Sequence, residues 1–197
     1  MNGAHGRLVI AVVLAGALWI PAMAGKTDLV AKYEDKTFYL QSNLFLDGRK
    51  SSWVNYVGSA DFVPVGAKVT VTKVAEDYMT FEVEGHDKDI EFETEDATPG
   101  VEAAVDRVLG EKAPSLAGLG DLDRSGVKSA KVKEGMSRKG VFLAIGYPPY
   151  YYSPPFFLDK KSATNHDTDA DKLTYMSSTW DFLIIEFDNG KVVTVDD

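Results

Sequence analysis

The chain has 197 residues, 45% hydrophobic, 26% charged and 11% aromatic, the make-up of a folding globular protein and not of a disordered tail, a collagen or a coiled coil. It contains no cysteine, which excludes disulfides, thiol catalysis, Cys-type zinc sites and lipid attachment through an N-terminal cysteine. With 30 acidic against 21 basic residues the net charge is -9, so binding to nucleic acid or an anionic membrane requires a local basic patch, and no basic run occurs in the sequence.

Residues 1–24 read as a signal peptide. Met1 to Arg7 is short and weakly positive, Leu8 to Ile20 is apolar and uncharged, and Ala22-Met23-Ala24 offers the small residues a signal peptidase needs, so the expected mature chain starts at Gly25. As a helix the apolar run covers roughly 20 Å, short of a hydrocarbon core of about 30 Å. The expected location is therefore periplasmic or secreted, with no transmembrane anchor after cleavage.

Residues 31–96 read as a β-rich unit, in which from Thr37 to about Glu95 the apolar residues recur with period two: Phe38, Leu40, Leu44 and Leu46, then Val65, Val69 and Val71, then Met79, Phe81 and Val83, then Ile90 and Phe92. Asp47-Gly48, Val57-Gly58, Pro64 to Gly66, Glu76-Asp77 and Gly85-His86 divide the stretch into five or six short strands, the signature of a small barrel or sandwich. Phe62 to Val71 resembles the proline, glycine and alternating-valine strand of bacterial SH3-like barrels, which implies a β-rich SH3-like unit over residues 31–96.

Residues 97–126 read as a helix and a linker. Thr98 suits an N-cap and Pro99 the first helical position, Val101, Val105, Val108 and Leu109 form one stripe, and Gly110 ends it. Pro114, Gly118, Gly120 and Gly126 then break periodicity, which predicts a connection. Residues 127–197 read as an α+β unit. Ser137 is the predicted N-cap of a helix over Arg138 to Ile145 that Gly146 closes and Pro148 stops, with Met136 and Val141 as a hydrophobic staple. Such a short helix is unstable alone, so its apolar face needs a sheet. Leu173 to Met176, Trp180 to Phe187 and Lys191 to Val195 supply three strands. Asn189-Gly190 predicts a type I′ hairpin that pairs Asp188 with Lys191, Phe187 with Val192 and Ile185 with Thr194. The expected fold class is α+β: a barrel-like all-β N-terminal unit, then a short helix packed on a three-stranded antiparallel sheet.

Gly135-Met136-Ser137, Val141, Ala144, Gly146 and Pro148 at this helix, with Trp180, Phe187, Gly190 and Val192 in the sheet, resemble the SmpA/OmlA (BamE-like) outer-membrane assembly domain over about 65 residues, Lys131 to Val195. The resemblance implies a non-catalytic cell-envelope protein that binds a protein or lipid partner in envelope assembly or maintenance. The chain departs from the family in lacking the lipoprotein cysteine, in having Gly140 where a capping box prefers Glu or Gln, and in carrying a preceding barrel-like unit. A secreted BLIP-like inhibitor shares the general fold and is an alternative by analogy.

The candidate partner-binding residues are Tyr147, Pro148, Pro149, Tyr150, Tyr151, Tyr152, Phe156 and Phe157, with Trp180 at their base. Rings on a proline-stiffened backbone lose little entropy on binding, although the same rings can instead fold back over the sheet. No catalytic, metal or cofactor residue is predicted. Asp167-Thr168-Asp169-Ala170-Asp171 and Asp121-Leu122-Asp123-Arg124-Ser125-Gly126 start like calcium loops, but Ser178 and Val132 replace the closing bidentate Glu, which leaves solvated acidic loops as the default. His86 and His166 form no zinc motif, and Gly135 to Gly140 is neither a nucleophile elbow nor a phosphate loop. The alternative function is an extracytoplasmic enzyme acting on a cell-wall or lipid substrate through Asp/Glu pairs in a groove. Pairs such as Glu82 with Glu84 and Glu91 with Glu93 are instead expected on solvated strand faces.

Overall fold

A computed structural model describes residues 22–97, 100–149, 168–178 and 181–197. The chain is α+β. Helix α1 (Ala22–Tyr33) leads into strands β1 (Thr37–Leu40), β2 (Leu44–Phe45), β3 (Lys50–Ser52), β4 (Phe62–Val63), β5 (Lys68–Val74), β6 (Tyr78–Val83) and β7 (Ile90–Glu93). Helix α2 (Val101–Val108), strand β8 (Leu109–Gly110), helices α3 (Asp121–Ser129) and α4 (Arg138–Ile145), and strands β9 (Lys172–Met176), β10 (Phe182–Asp188) and β11 (Lys191–Asp196) follow.

The period-two segments form a six-stranded sheet, ordered β3-β7-β6-β5-β1-β8, that curls into a half-barrel. Its inner face buries Leu40, Val69, Val71, Met79, Phe81, Ile90 and Phe92, with Phe81 and Phe92 stacked at 5.3 Å. The outer face carries the glutamates. Lys50 bridges Glu91 (3.1 Å) and Glu93 (2.8 Å), while Lys68 pairs with Glu84 (3.7 Å), as expected of solvated carboxylates. Helix α2 presents Ala104, Val105 and Val108 to this core.

Two segments depart from the predicted strand pattern. Phe62–Val63 separates from β5 to pair with Leu44–Phe45 as a two-stranded ribbon, and Val65 sits in the turn between β4 and β5 instead of in a strand. Leu109 leaves the helical stripe. It takes an extended backbone (φ -109, ψ 134) because β1 accepts it as an edge partner, Leu40 opposite Leu109. Thr98 and Pro99 lie outside the described residues.

Helix α1, which the sequence reading did not anticipate, packs over the first core through Leu29, Val30 and Tyr33. A polar knot ties it to α2. The Tyr33 hydroxyl donates to Asp106 Oδ1 (2.6 Å), and Lys32 Nζ donates to Asp106 Oδ2 (2.8 Å) and Glu102 Oε1 (2.7 Å). Desolvation works against the Lys32 charge, but the hydrogen bonds to Asp106 and Glu102 outweigh it and raise its pKa. Burial, reinforced by the bond to Asp106, pushes the Tyr33 hydroxyl up to about 12.

The predicted connection over 111–126 holds a helix. Asp121–Ser129 is helical despite Gly126, because glycine permits close contact there: a Cβ on Gly126 would collide with the Met136 thioether and stand 2.8 Å from the Lys131 carbonyl. Asp121 and Asp123 sit in the first turn, where carboxylates complement the helix dipole. The Asp121 to Gly126 stretch is therefore not a solvated loop, and Asp123 is only 4% exposed.

Asp123 also resolves the capping anomaly of α4. Ser137 is the N-cap as predicted, its Oγ accepting from the Gly140 N–H at 3.0 Å. A capping box completes itself when a Glu or Gln at the third helical position accepts the N-cap N–H. Here Asp123 reaches across from α3 to do so, accepting from Ser137 N–H (2.7 Å) and Ser137 Oγ–H (2.8 Å). Gly140 occupies the third position because any Cβ there would collide with Asp123 Oδ1 and stand 2.7 Å from its Cγ.

The α3–α4 pair packs on the antiparallel sheet β11-β10-β9, burying Met136, Val141, Ala144, Ile145, Leu173, Tyr175, Ile185, Phe187 and Val192. Met136 and Val141 are both fully buried, as the staple requires. Asn189 (φ 49) and Gly190 (φ 74) turn the hairpin, and Asp188 meets Lys191 and Phe187 meets Val192 as expected. The third predicted pair fails: a bulge between Glu186 and Phe187 shifts the register, so Ile185 faces Val195 and Glu186 faces Thr194. The lead-in to α4 runs along the outer edge of β11, where Gly135 N–H donates to Val192 O (2.8 Å), Val192 N–H to Met136 O (2.9 Å) and Arg138 N–H to Gly190 O (3.1 Å).

Phe45 and Val57 from the first half belong to this second core. Two buried asparagines join the halves at the ends of α3 and α4, where the last carbonyls of a helix have no partner of their own. Asn43, 0% exposed, donates from Nδ2 to Val127 O (2.8 Å) and Ala144 O (2.9 Å), while its Oδ1 accepts from Val65 N–H (2.8 Å). Asn55 donates to Ile145 O (3.0 Å) and Asn43 O (3.1 Å) and accepts from Phe45 N–H (2.9 Å).

Candidate functional site

Of the predicted partner-binding residues, Tyr147, Pro148 and Pro149 are described; Tyr150, Tyr151, Tyr152, Phe156, Phe157 and Trp180 lie outside the described residues. Tyr147 follows the α4 cap and is 40% exposed, whereas Pro148 and Pro149 are buried and frame the ring without presenting themselves. The Tyr147 ring lies 4.5 Å from Phe142 on the last turn of α4, and the Arg107 guanidinium of α2 stands 5.7 Å from its centroid. Cation–π attraction and the hydrogen bond from Arg107 Nη1 to Pro148 O (2.7 Å) hold this corner together.

Tyr147 forms one wall of an open cleft of about 630 Å³. Phe142 and Leu143 of α4 and Pro114 and Ser115 of the connection also line it, and Arg107, Arg138 and Lys139 bring three cations to it. The Arg138 side chain lies along the second core with its guanidinium 3.9 Å from the Phe187 ring centroid, and its Nη1 donates to Thr168 O and Ala170 O, each at 2.7 Å. Lys139 makes a longer bond to Ala117 O (3.3 Å). Asp106 is the carboxylate among the lining residues, and it is already bound by Lys32 and Tyr33.

The sequence reading reached Tyr147 and missed the cations. Arg107 and Arg138 are 31 positions apart and lie on different helices, so no basic run marks them. In the β unit, Trp53 donates from Nε1 to Glu95 O (3.0 Å) and lines, with Ser42, Asn55, Ala104 and Gly146, a cavity of about 20 Å³. That volume admits a single water molecule. Among the described residues, no group of three or more His, Asp or Glu side chains is placed to hold a metal ion. No described helix is long and apolar enough to cross a membrane.

No protein-family model matches this sequence, and no curated protein or solved structure matches it significantly.

Proposed function

We propose that this chain is an exported, non-catalytic cell-envelope protein that docks a protein or lipid partner on the surface that begins at Tyr147. The observation that carries the reading is the placement of that ring: exposed, backed by Phe142, overhung by Arg107, and lining an open cleft of about 630 Å³. Tyrosine in such a setting combines apolar area with a hydroxyl and has little entropy to lose. Export rests on the apolar Leu8–Ile20 run and the Ala22-Met23-Ala24 site, and the envelope role on the SmpA/OmlA-like pattern from Gly135 to Val192. An extracytoplasmic hydrolase needs a pair of carboxylates facing one cleft; the lining residues here include one, Asp106, which Lys32 and Tyr33 already engage.

The test is co-purification from an envelope fraction with wild-type chain, the Tyr147→Ser variant, and a variant with Tyr150, Tyr151 and Tyr152 all changed to Ser. Wild type retains a partner that both variants lose while their melting stays within a few degrees, as for changes at exposed sites. Equal recovery by all three chains overturns the reading. If melting collapses in the triple variant, those rings belong to the core.

A further inference from the structure

We infer that the cleft takes an acidic peptide segment, a carboxylate held at Arg107 and Lys139 with a neighbouring apolar side chain laid on Phe142 and Tyr147. This rests on the reading of the Tyr147 surface as a docking site and specifies the chemistry of what docks there.

Charge carries the argument. On a chain of net charge -9, the described residues lining the cleft include three cations, Arg107, Arg138 and Lys139, and one carboxylate, Asp106. Asp106 is already paired with Lys32 at 2.8 Å and hydrogen-bonded by Tyr33 at 2.6 Å, which reduces how far it offsets those cations. An acidic partner is repelled by the remaining surface and attracted here, which fixes where it lands. Guanidinium donors match carboxylate geometry, and both arginines are already oriented by main-chain carbonyls, Arg107 by Pro148 and Arg138 by Thr168 and Ala170, so little ordering remains to be done on binding. The Phe142–Tyr147 pair provides apolar area beside the charges, and about 630 Å³ lies within the range of ligand clefts.

The probe is a dye-labelled pentapeptide Glu-Phe-Asp-Phe-Glu followed by fluorescence anisotropy on the full exported chain, with Lys-Phe-Lys-Phe-Lys as control and two salt concentrations. The acidic peptide binds, the basic one does not, and added salt weakens binding. The Arg107→Gln/Lys139→Gln double variant loses about tenfold or more in affinity, while Lys68→Gln on the outer sheet face matches wild type. Should the double variant fail to fold, Lys139→Gln alone, a change at an exposed side chain, still loses about threefold. Equal binding of the two peptides, or unchanged affinity in Lys139→Gln, overturns the assignment. Tighter binding of dodecyl phosphate or of inorganic phosphate than of the acidic peptide overturns it too, in favour of a lipid headgroup or a free anion. Partner capture that depends on Tyr147 but not on Lys139 leaves the docking surface standing and removes only the acidic-peptide specificity.

Discussion

Replacing Asn43 tests whether two helix ends depend on one side chain. Asn43→Ala removes the donor to Ala144 O and to Val127 O and the acceptor of Val65 N–H, leaving Val127 O with a longer bond to Ala130 N–H at 3.3 Å. Each buried group that loses its partner costs about 1–3 kcal/mol, and the weaker residual bond at Val127 discounts one of the three, so the expected loss is about 3–5 kcal/mol. That is a large fraction of the roughly 5–15 kcal/mol that holds a domain folded. Asn43→Asp is the sharper probe. It keeps the acceptor for Val65 but sets an oxygen against two carbonyls that now receive bonds at 2.8 and 2.9 Å. The new carboxyl is disfavoured as an anion, so its folded pKa rises above the unfolded value of about 3.9. The folded state then holds its proton longer, and the deficit relative to wild type shrinks as pH falls toward 4. Urea unfolding of both variants against wild type at pH 7, 5.5 and 4.5 measures this. A loss under about 1 kcal/mol for Asn43→Ala, or a deficit in Asn43→Asp that ignores pH, refutes the account.

Gly140→Ala gains about 1 kcal/mol of helix propensity, yet the added Cβ displaces Asp123 and breaks its two bonds to Ser137, so the expected net effect is destabilisation by about 2 kcal/mol. In an Asp123→Ala background the same change becomes stabilising, and denaturant unfolding of the four-variant cycle reads that reversal of sign. In alkali, the Tyr33 hydroxyl, pushed up to about 12 by burial and by its bond to Asp106, keeps its proton in the folded state while the unfolded chain loses it near 10. Tyr175, fully buried and also raised by burial, acts in the same direction. The Tyr33 contribution is intact below pH 10 and disappears as pH climbs toward 12, so stability falls through that window, and Tyr175 prolongs the fall to higher pH. The absorbance of tyrosinate near 295 nm should rise in step with loss of the native signal, and early ionisation of all tyrosines without unfolding contradicts it.

What could be read from the sequence was local. Ser137, Gly146 and Asn189-Gly190 specify caps and a turn within a few residues, and the alternating apolar residues of β5 and β6 reveal which side faces inward without knowledge of the partner strand. The hairpin register held for two pairs and failed at the third, because nothing in the sequence around Val193 announces a bulge. Helix α3 was hidden by its glycines; the signal that could have found it is the acidic pair Asp121 and Asp123 preceding Val127. Asn43 and Asn55 gave no warning at all, since the helix-end carbonyls they serve lie 84 to 101 residues away. At the cleft, Tyr147 stood out through local ring density, whereas Arg107 is brought to the adjacent pair Arg138 and Lys139 only by the tertiary fold.

The strip from Gly135 to Arg138 along β11 bears on how copies of this protein treat one another. A terminal strand with its amides and carbonyls open is a template on which another molecule can polymerise. On β11 the turn-proximal positions Gly190 and Val192 are already engaged by the chain's own residues 135–138. A neighbour arriving at this end of the rim finds those positions already taken, so it cannot add a strand there without displacing residues 135–138.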